Sequence, residues 1–488
     1  FESMDTLLTE LGRDRQRNRR RALAAVAALT LSLGSAAVAW RLGSADETPR
    51  CESTTPLLAQ IWGAERRSAL EASLHATGRS YADEVAPRVL AELDRYAEDW
   101  TAMQRDACER HVQSIESDAT YDLRSTCLDV SKRALASTVS ALEGIDAKHL
   151  PNAVELVEAL PKLDACADLE ALTTKVALPD PEVAAAVADE RLVLVDLSTL
   201  RVAGKDQEAL AGLGESLIRA RALAYPPLIA EVLLALGRAQ LDTNRFPEAA
   251  ESLREGALLA FEVGLDVLGL EALARLINAE SHLGAEQTRT SLAYLPFAEA
   301  LSRRHPRADF ARALLLNNTG TAHLAGGERE RAKPLFREAL ALIEGAGLDQ
   351  PELSFVPLNL ASISDDPAER RALSQRAVGE FEAKLGAGHP KTLRARYLHT
   401  HNLDDAAEAE RERTPICERL VREHPEERIL SIECFYTLAY LRDELGDTRG
   451  AAAAFEQVLA LAGDDPNTAD LRAVAEGYAA LERGELER

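Results

Sequence analysis

The sequence predicts an all-α protein in three parts: a single membrane-spanning helix near the N-terminus, a helical domain that holds cysteines, and a long array of paired helices. Three observations carry this. Hydrophobic residues make up 46% of the chain but aromatic ones only 5%, and the apolar share is mostly Ala and Leu, both strong helix formers. Residues 22–40 carry no formal charge and follow a block of arginines. In the second half a small–large–small spacing recurs.

Residues 1–12 place Met4, Leu7, Leu8 and Leu11 on one helical face. Such a short helix is marginal alone, and it is expected to close a preceding domain. With the basic segment through Arg19, Arg20 and Arg21 it forms a first section, 1–21. The uncharged stretch 22–40 would reach about 28 Å as a helix, close to the hydrocarbon thickness of a bilayer. The cluster Arg13, Arg15, Arg17, Arg19, Arg20 and Arg21 lies wholly before it, so the positive-inside bias puts the N-terminus in the cytoplasm and residues 41–488 outside, as in a single-pass protein of a bacterial inner membrane. Ala37-Val38-Ala39 matches a signal-peptide cleavage pattern, the rival reading, which exports the same residues. A polar linker follows at 41–50.

Residues 51–178 carry helical periodicity almost throughout and read as a compact domain. Six cysteines, Cys51, Cys108, Cys127, Cys166, Cys417 and Cys434, all lie after the apolar stretch, and an even count on an exported side suggests disulfides. Cys108 and Cys127 are spaced for two antiparallel helices meeting around a turn, and Cys51 and Cys166 bracket the domain. The expected pairs are therefore Cys108–Cys127, Cys51–Cys166 and Cys417–Cys434, with connectivity left open by sequence. Pro179-Asp180-Pro181 marks a helix start and a boundary, after which 179–488 forms the repeat array.

Charge narrows the function. Net charge is −24, and with +2 on residues 1–50 the remainder carries −26. That excludes a basic face for phosphates, hence nucleic acid, and disfavours lying on an anionic lipid surface. No phosphate loop, nucleophile elbow, His-Glu-x-x-His or Cys-x-x-Cys is present, so no catalytic residue and no metal site is assigned. His399 and His401 point to different faces of a helix. His305, His389 and His424 each precede Pro and read as helix punctuation.

The repeat motif is small-x3-large-x2-small: Ala249/Leu253/Gly256, Ala293/Phe297/Ala300, Ala332/Phe336/Ala339 and Ala451/Phe455/Val458. Leu236-Gly237, Thr319-Gly320 and Leu438-Ala439 stand upstream of three of these. The pattern resembles the tetratricopeptide repeat, in which small residues let paired helices approach closely, and implies a tetratricopeptide-type α-solenoid. In that register Asn278, Asn318, Asn359 and Asn402 fall at one repeat-equivalent position. The resemblance places it on the concave groove, where amides can hold a peptide backbone. The alternative is that these residues bond neighbouring helices inside the solenoid.

The order of elements, with Trp62, Leu93-Asp94-x-Tyr96-x3-Trp100, Ala107-Cys108, Asp122-Leu123-Arg124-x2-Cys127-Leu128 and Leu163-x2-Cys166, resembles the C-terminal half of bacterial membrane-anchored serine/threonine kinases with tetratricopeptide tails. The resemblance implies an extracytoplasmic sensor or scaffold arm that binds a protein or peptide, with a bias towards basic partners, and touches the membrane through one helix. Kinase motifs are missing here, so the chain is not expected to be an enzyme or to hold a cofactor. ATP and Mg2+ would belong only to a kinase domain preceding residue 1. A freestanding exported tetratricopeptide adaptor is the first alternative, and an exported hydrolase the second.

Overall fold

The computed structural model describes residues 51, 55–172, 177–463 and 469–482, and all regular structure in them is helical. The first unit begins with α1 (Thr55–Ile61) and α2 (Ala64–Ala76). Two long helices follow, α3 (Ala82–Val112) and α4 (Asp118–Glu143), then the short α5 (Ala153–Glu158) and α6 (Leu169–Leu172). Ser117 starts α4 by accepting the Thr120 N–H at 3.2 Å, satisfying one otherwise orphaned donor. α3 and α4 bury Val85, Val89, Leu93 and Trp100 against Leu128, Leu135, Val139 and Leu142. The residues that carry the kinase-tail resemblance have structural work here. Trp62 Nε1 donates to Asp94 Oδ1 at 2.8 Å, Trp100 Nε1 to the Leu128 carbonyl at 2.8 Å, and Tyr96 Oη to the Pro161 carbonyl at 3.0 Å.

The structure pairs Cys51 with Cys108, Cys127 with Cys166, and Cys417 with Cys434. The pairings Cys108–Cys127 and Cys51–Cys166 expected from spacing are therefore corrected. The connection between α3 and α4 is 113–117, so Cys127 lies about five residues further from the turn than Cys108. At 1.5 Å per residue that offset is about 7.5 Å along the helices, beyond the reach of a disulfide.

Seven helical pairs follow, α7 (Ala184–Val202) with α8 (Asp206–Ala222), α9 (Pro226–Asp242) with α10 (Phe246–Glu262), and α11 (Asp266–Ser281) with the broken partner α12 (Ala285–Leu292) and α13 (Leu295–Arg304). Then come α14 (Asp309–Ala325) with α15 (Arg329–Ala346), α16 (Val356–Ile363) with α17 (Pro367–Leu385), α18 (Pro390–Thr400) with α19 (Ala406–Glu423), and α20 (Arg428–Glu444) with α21 (Thr448–Ala462). α22 (Ala469–Glu482) packs on the last pair. Outside the broken third repeat, where α11 packs directly on α14, each helix of the array packs on the next in sequence, the solenoid pattern.

Small–large pairing holds the repeats together. A Cβ at Gly237 would lie 2.5 Å from Leu253, and one at Gly320 2.7 Å from Phe336. Ala439 and Phe455 are likewise buried. The third repeat departs from the motif: the helix breaks at Ala293–Tyr294, with Pro296 in the first turn of α13. Phe297 is left 48% exposed, packed edge-on against Phe261 with centroids 5.0 Å apart.

The first unit lies across the inner side of the solenoid, and the two share one core. Val85, Val89 and Leu93 belong to the same buried cluster as Ala203, Leu358, Ala377, Phe381, Leu385 and Ala395. The boundary near residue 178 therefore separates segments of chain rather than separate cores.

The membrane part of the expectation is corrected. Among the described residues no helix is long and apolar enough to cross a membrane, and the stretch 22–40 lies outside them, as do 1–21 and 41–50. The fold is an all-helical repeat array with a helical disulfide-bonded unit, and neither the single spanning helix nor the single-pass inner-membrane location is supported.

Replacing Gly320 by Val should cost roughly 1–3 kcal/mol through overpacking against Phe336. Gly345, in α15 with open space around its Cα, should gain up to about 1 kcal/mol as Ala. Urea denaturation of both variants checks the assignment.

Candidate functional site

The first helices of successive pairs turn towards the first unit, and their facing side chains are charged and paired. Arg191 on α7 meets Glu231 on α9 through two bonds of 2.9 and 2.7 Å. Arg201 meets Asp242 at 2.6 Å. Deeper, Arg275 Nε bonds Glu271 Oε1 at 2.8 Å, while Arg275 and Arg238 converge on Glu352 Oε1 at 3.3 and 3.1 Å. Glu352 sits in the 3-10 turn Pro351–Leu353, and this turn brings it to arginines 77 and 114 residues away.

The quartet shifts its own protonation equilibria. Burial would raise Glu352, but Arg275 and Arg238 outweigh it and hold its carboxyl down to about 2. Glu271 is lowered in the same way against its burial, by Arg275 and Arg238. Burial, with the neighbouring Arg275 and Arg201 charges, brings Arg238 down to about 10.

A cavity of about 660 Å3 opens between residues 152–162 of the first unit and this charged face, with Phe310 and Phe355 among its walls. Its volume falls in the range of ligand pockets. On the side of the first unit Lys162 pairs with Asp349 at 2.9 Å and Lys391 with Glu155 at 2.5 Å. Three lining residues hold buried polar atoms without a hydrogen-bond partner: Glu155 Oε1, which is ion-paired with Lys391, and two atoms that make no ion pair, the donor Arg238 Nε and the acceptor Gln350 Oε1. A second cavity, about 740 Å3, continues past Glu158, Lys162 and Asp349.

The four expected asparagines do not occupy equivalent environments. Asn318 is 7% exposed and donates to the Ala274 carbonyl of α11 at 2.9 Å, a bond between neighbouring helices. Asn317, absent from the sequence-based site, donates to Asn318 Oδ1 at 3.1 Å and accepts from Asn359 Nδ2 at 3.0 Å. An amide chain thus crosses α16, α14 and α11. Asn278 is half-buried on α11, three residues beyond Arg275. Asn402 follows the end of α18, is 7% exposed, and donates to the Leu398 carbonyl at 3.0 Å, away from the others.

The Arg–Glu quartet carries no local motif, because its members stand on α9, α11 and the turn Pro351–Leu353 and meet only in the folded array. A signal existed: Arg191, Glu231 and Glu271 recur every 40 residues, as do Arg238, Asn278 and Asn318.

Among the described residues no group of three or more His, Cys, Asp or Glu side chains is arranged to hold a metal. His399 Nδ1 lies 2.7 Å from Ser374 Oγ, and its Nε2 4.0 Å from Glu412 Oε2, an order reminiscent of a hydrolytic triad. Ser374 is fully buried and its hydroxyl also bonds the Arg370 and Arg371 carbonyls, so its environment is that of a packed helix residue.

No protein-family model matches the sequence. No curated protein matches it either. Similar solved structures include the apo form of the quorum sensor NprR from B. thuringiensis, with a TM-score of 0.45 at 12% identity over 76% of this chain and 97% of that one. Aspartyl phosphate phosphatase F from Bacillus subtilis scores 0.43 at 12% identity, over 78% and 94%. A Signal Transduction ATPase with Numerous Domains protein with a tetratricopeptide repeat sensor, from Pyrococcus horikoshii, scores 0.45 at 12% identity, over 87% and 67%. Likeness of that order carries no statement about what this chain binds.

Replacing Arg275 by Met leaves Glu271 without its 2.8 Å partner and should destabilise the protein by about 3–5 kcal/mol. The pH dependence has a definite sign. Glu352 is held below its ordinary 4.5, so its stabilisation is present above that value and is lost as pH falls through about 2. Urea midpoints at pH 7 and pH 3 should converge in Glu352→Gln relative to the unmodified protein.

Proposed function

We propose that this chain is a protein- or peptide-binding repeat protein of an oxidising, exported compartment, and that a ligand chain lies against the inner face between α9 and α16. One observation carries the reading: the cavity there leaves a buried donor, Arg238 Nε, and a buried acceptor, Gln350 Oε1, without partners. A peptide unit supplies one acceptor and one donor, which matches that demand. Asn278 and Asn359 continue the same faces, one helical turn beyond Arg275 and Phe355, and offer further amides to an extended backbone.

Charge acts at two ranges in this proposal. The net −24 of the chain steers basic partners towards it and makes association sensitive to salt. Contact is different, because the inner-face charges are already paired and reward hydrogen bonds rather than net charge. Three disulfides, which persist in oxidising compartments, support the compartment. No cofactor enters the proposal. The finer reading, the ligand-binding arm of a serine/threonine kinase, rests on the Trp62 to Cys166 pattern, and the gene sequence upstream of residue 1 tests it: no kinase domain there removes the link.

Asn278→Ala should weaken a captured ligand by roughly 0.5–1.5 kcal/mol with little change in melting temperature, and Asn359→Ala should weaken it similarly while also losing its bond to Asn317 of α14. Asn318→Ala, which breaks a bond between helices, should instead lower the melting temperature. Titration calorimetry with peptides recovered from the exported fraction, beside thermal unfolding, checks both. Normal binding by the Asn278 and Asn359 variants would sink the groove assignment.

A further inference from the structure

Besides the Lys162–Asp349 pair and the shared apolar core, the first unit makes two polar contacts with the solenoid that close the arc of repeats into a ring around the cavity. One contact is with the first repeat, where Arg133 pairs with Asp196 and Asn152 packs against Gly204. The other is with the corner 386–390 and the end of α19. There Glu84 accepts the Ala387 N–H at 2.9 Å, Arg79 bonds the Glu423 carbonyl and pairs with Glu426 at 2.8 Å, and His389 Nε2 donates to the Pro151 carbonyl at 2.6 Å. Gly388 is needed at this corner, since a Cβ would lie 2.9 Å from Tyr81 and 2.6 Å from Arg419.

We propose that this second contact is a proton-released clasp, in which neutral His389 holds the first unit over the inner face and its protonation lets the ring open to a ligand.

Both ring nitrogens of His389 are committed, and the commitments fix one neutral tautomer. Nε2 carries the hydrogen and donates to Pro151, while Nδ1 accepts the Lys391 N–H at 3.1 Å as the N-cap of α18. A second proton would go on Nδ1, turning the cap acceptor into a donor that faces another donor. The side chain is 1% exposed, so water cannot take up the misplaced proton. Charged neighbours oppose it from each packed element: Lys391 on α18, Arg88 on α3, and His424 after α19. Lys391 is partly offset by Glu155 on α5 at 2.5 Å, and Arg79 by Glu426. Arg419 pairs with Glu423 at 2.8 Å. Burial and these cations lower His389 well below its ordinary 6.5.

His424, also fully buried, is likewise held below its ordinary value, chiefly by burial, although the Gly388 carbonyl and Glu426 oppose that shift. Its Nε2 donates to the Gly388 carbonyl at 2.8 Å, and its bare Nδ1 faces Glu426 Oε1 at 3.4 Å. Neither of these two atoms has a hydrogen-bond partner, and the same holds for Tyr81 Oη and Arg88 Nη1 at the same contact. A proton on His424 would join Nδ1 to Glu426 without breaking a bond. Of the two, His389 is the histidine whose protonation breaks an existing bond of the clasp, and the orphaned polar atoms leave the clasp weaker than its buried apolar area alone would make it.

The inference rests on the inner face being the binding site, but its test uses no ligand, so either can fail without the other. Hydrogen exchange on the full chain, corrected for intrinsic rates, reads the opening equilibrium. The closed form carries His389 neutral and the open form lets it titrate near 6.5. Opening at residues 79–90 and 386–400 should therefore rise about tenfold per pH unit between pH 6 and pH 4.5, while amides of α9 and α11 stay protected. His389→Asn keeps an N-cap acceptor but cannot titrate, and should make that profile shallower, leaving only the slope that His424 contributes. An unchanged profile in His389→Asn, or loss of protection in α9 and α11 together with the clasp, overturns the proposal. Should the variant fail to fold, the unmodified protein still decides: no selective rise at the clasp between those pH values overturns it equally.

Discussion

The burial of one apolar core between the first unit and the fifth and sixth repeats is the constraint on which the rest depends. In a simple solenoid each repeat touches only its neighbours, so curvature is a sum of small local rotations and can flex. Here Val85, Val89 and Leu93 on α3 pack in the same cluster as Phe381, Leu385 and Ala395, roughly 300 residues later in the chain. That long-range contact fixes the curvature, because changing it would expose the shared core to water at roughly 25 cal/mol per Å2 of apolar surface.

Enclosure follows from that docking, and the chemistry of the inner face follows from enclosure. Charges on an open concave surface are solvated and need no partner. Beneath 152–162 they lose that solvation, so arginines and glutamates of α9, α11 and the turn Pro351–Leu353 are found in pairs. A buried unpaired ion would cost several kcal/mol. The pairing leaves a face close to neutral inside a protein of net charge −24, which separates long-range attraction from short-range selection. The disulfides act elsewhere: two cross-link the first unit, and the third ties α19 to α20 in the sixth and seventh repeats. Among the described residues none crosses the clasp, so ring closure rests on non-covalent contact alone.

What the amino-acid sequence determined by itself is the local layer. Ala- and Leu-rich periodicity dictates helices, Ser117 and Asp366 cap them, and the glycines of Leu236-Gly237 and Thr319-Gly320 meet Leu253 and Phe336 as the small–large spacing implies. These features depend on residues within one or two helices of each other, where spacing translates directly into position. What only the tertiary structure decided involves residues far apart in sequence. Cysteine pairing turned on a five-residue offset about the α3–α4 connection. Asn318 faces a neighbouring helix while Asn359 stands half-exposed, although both occupy the same repeat position. His389 and His424 look like punctuation before proline until α3 and the Pro151 carbonyl, 238 residues away, are brought against them. Periodicity states which face of a helix is apolar. Which other face it meets depends on rotations accumulated over successive repeats, and no short stretch of sequence contains that sum.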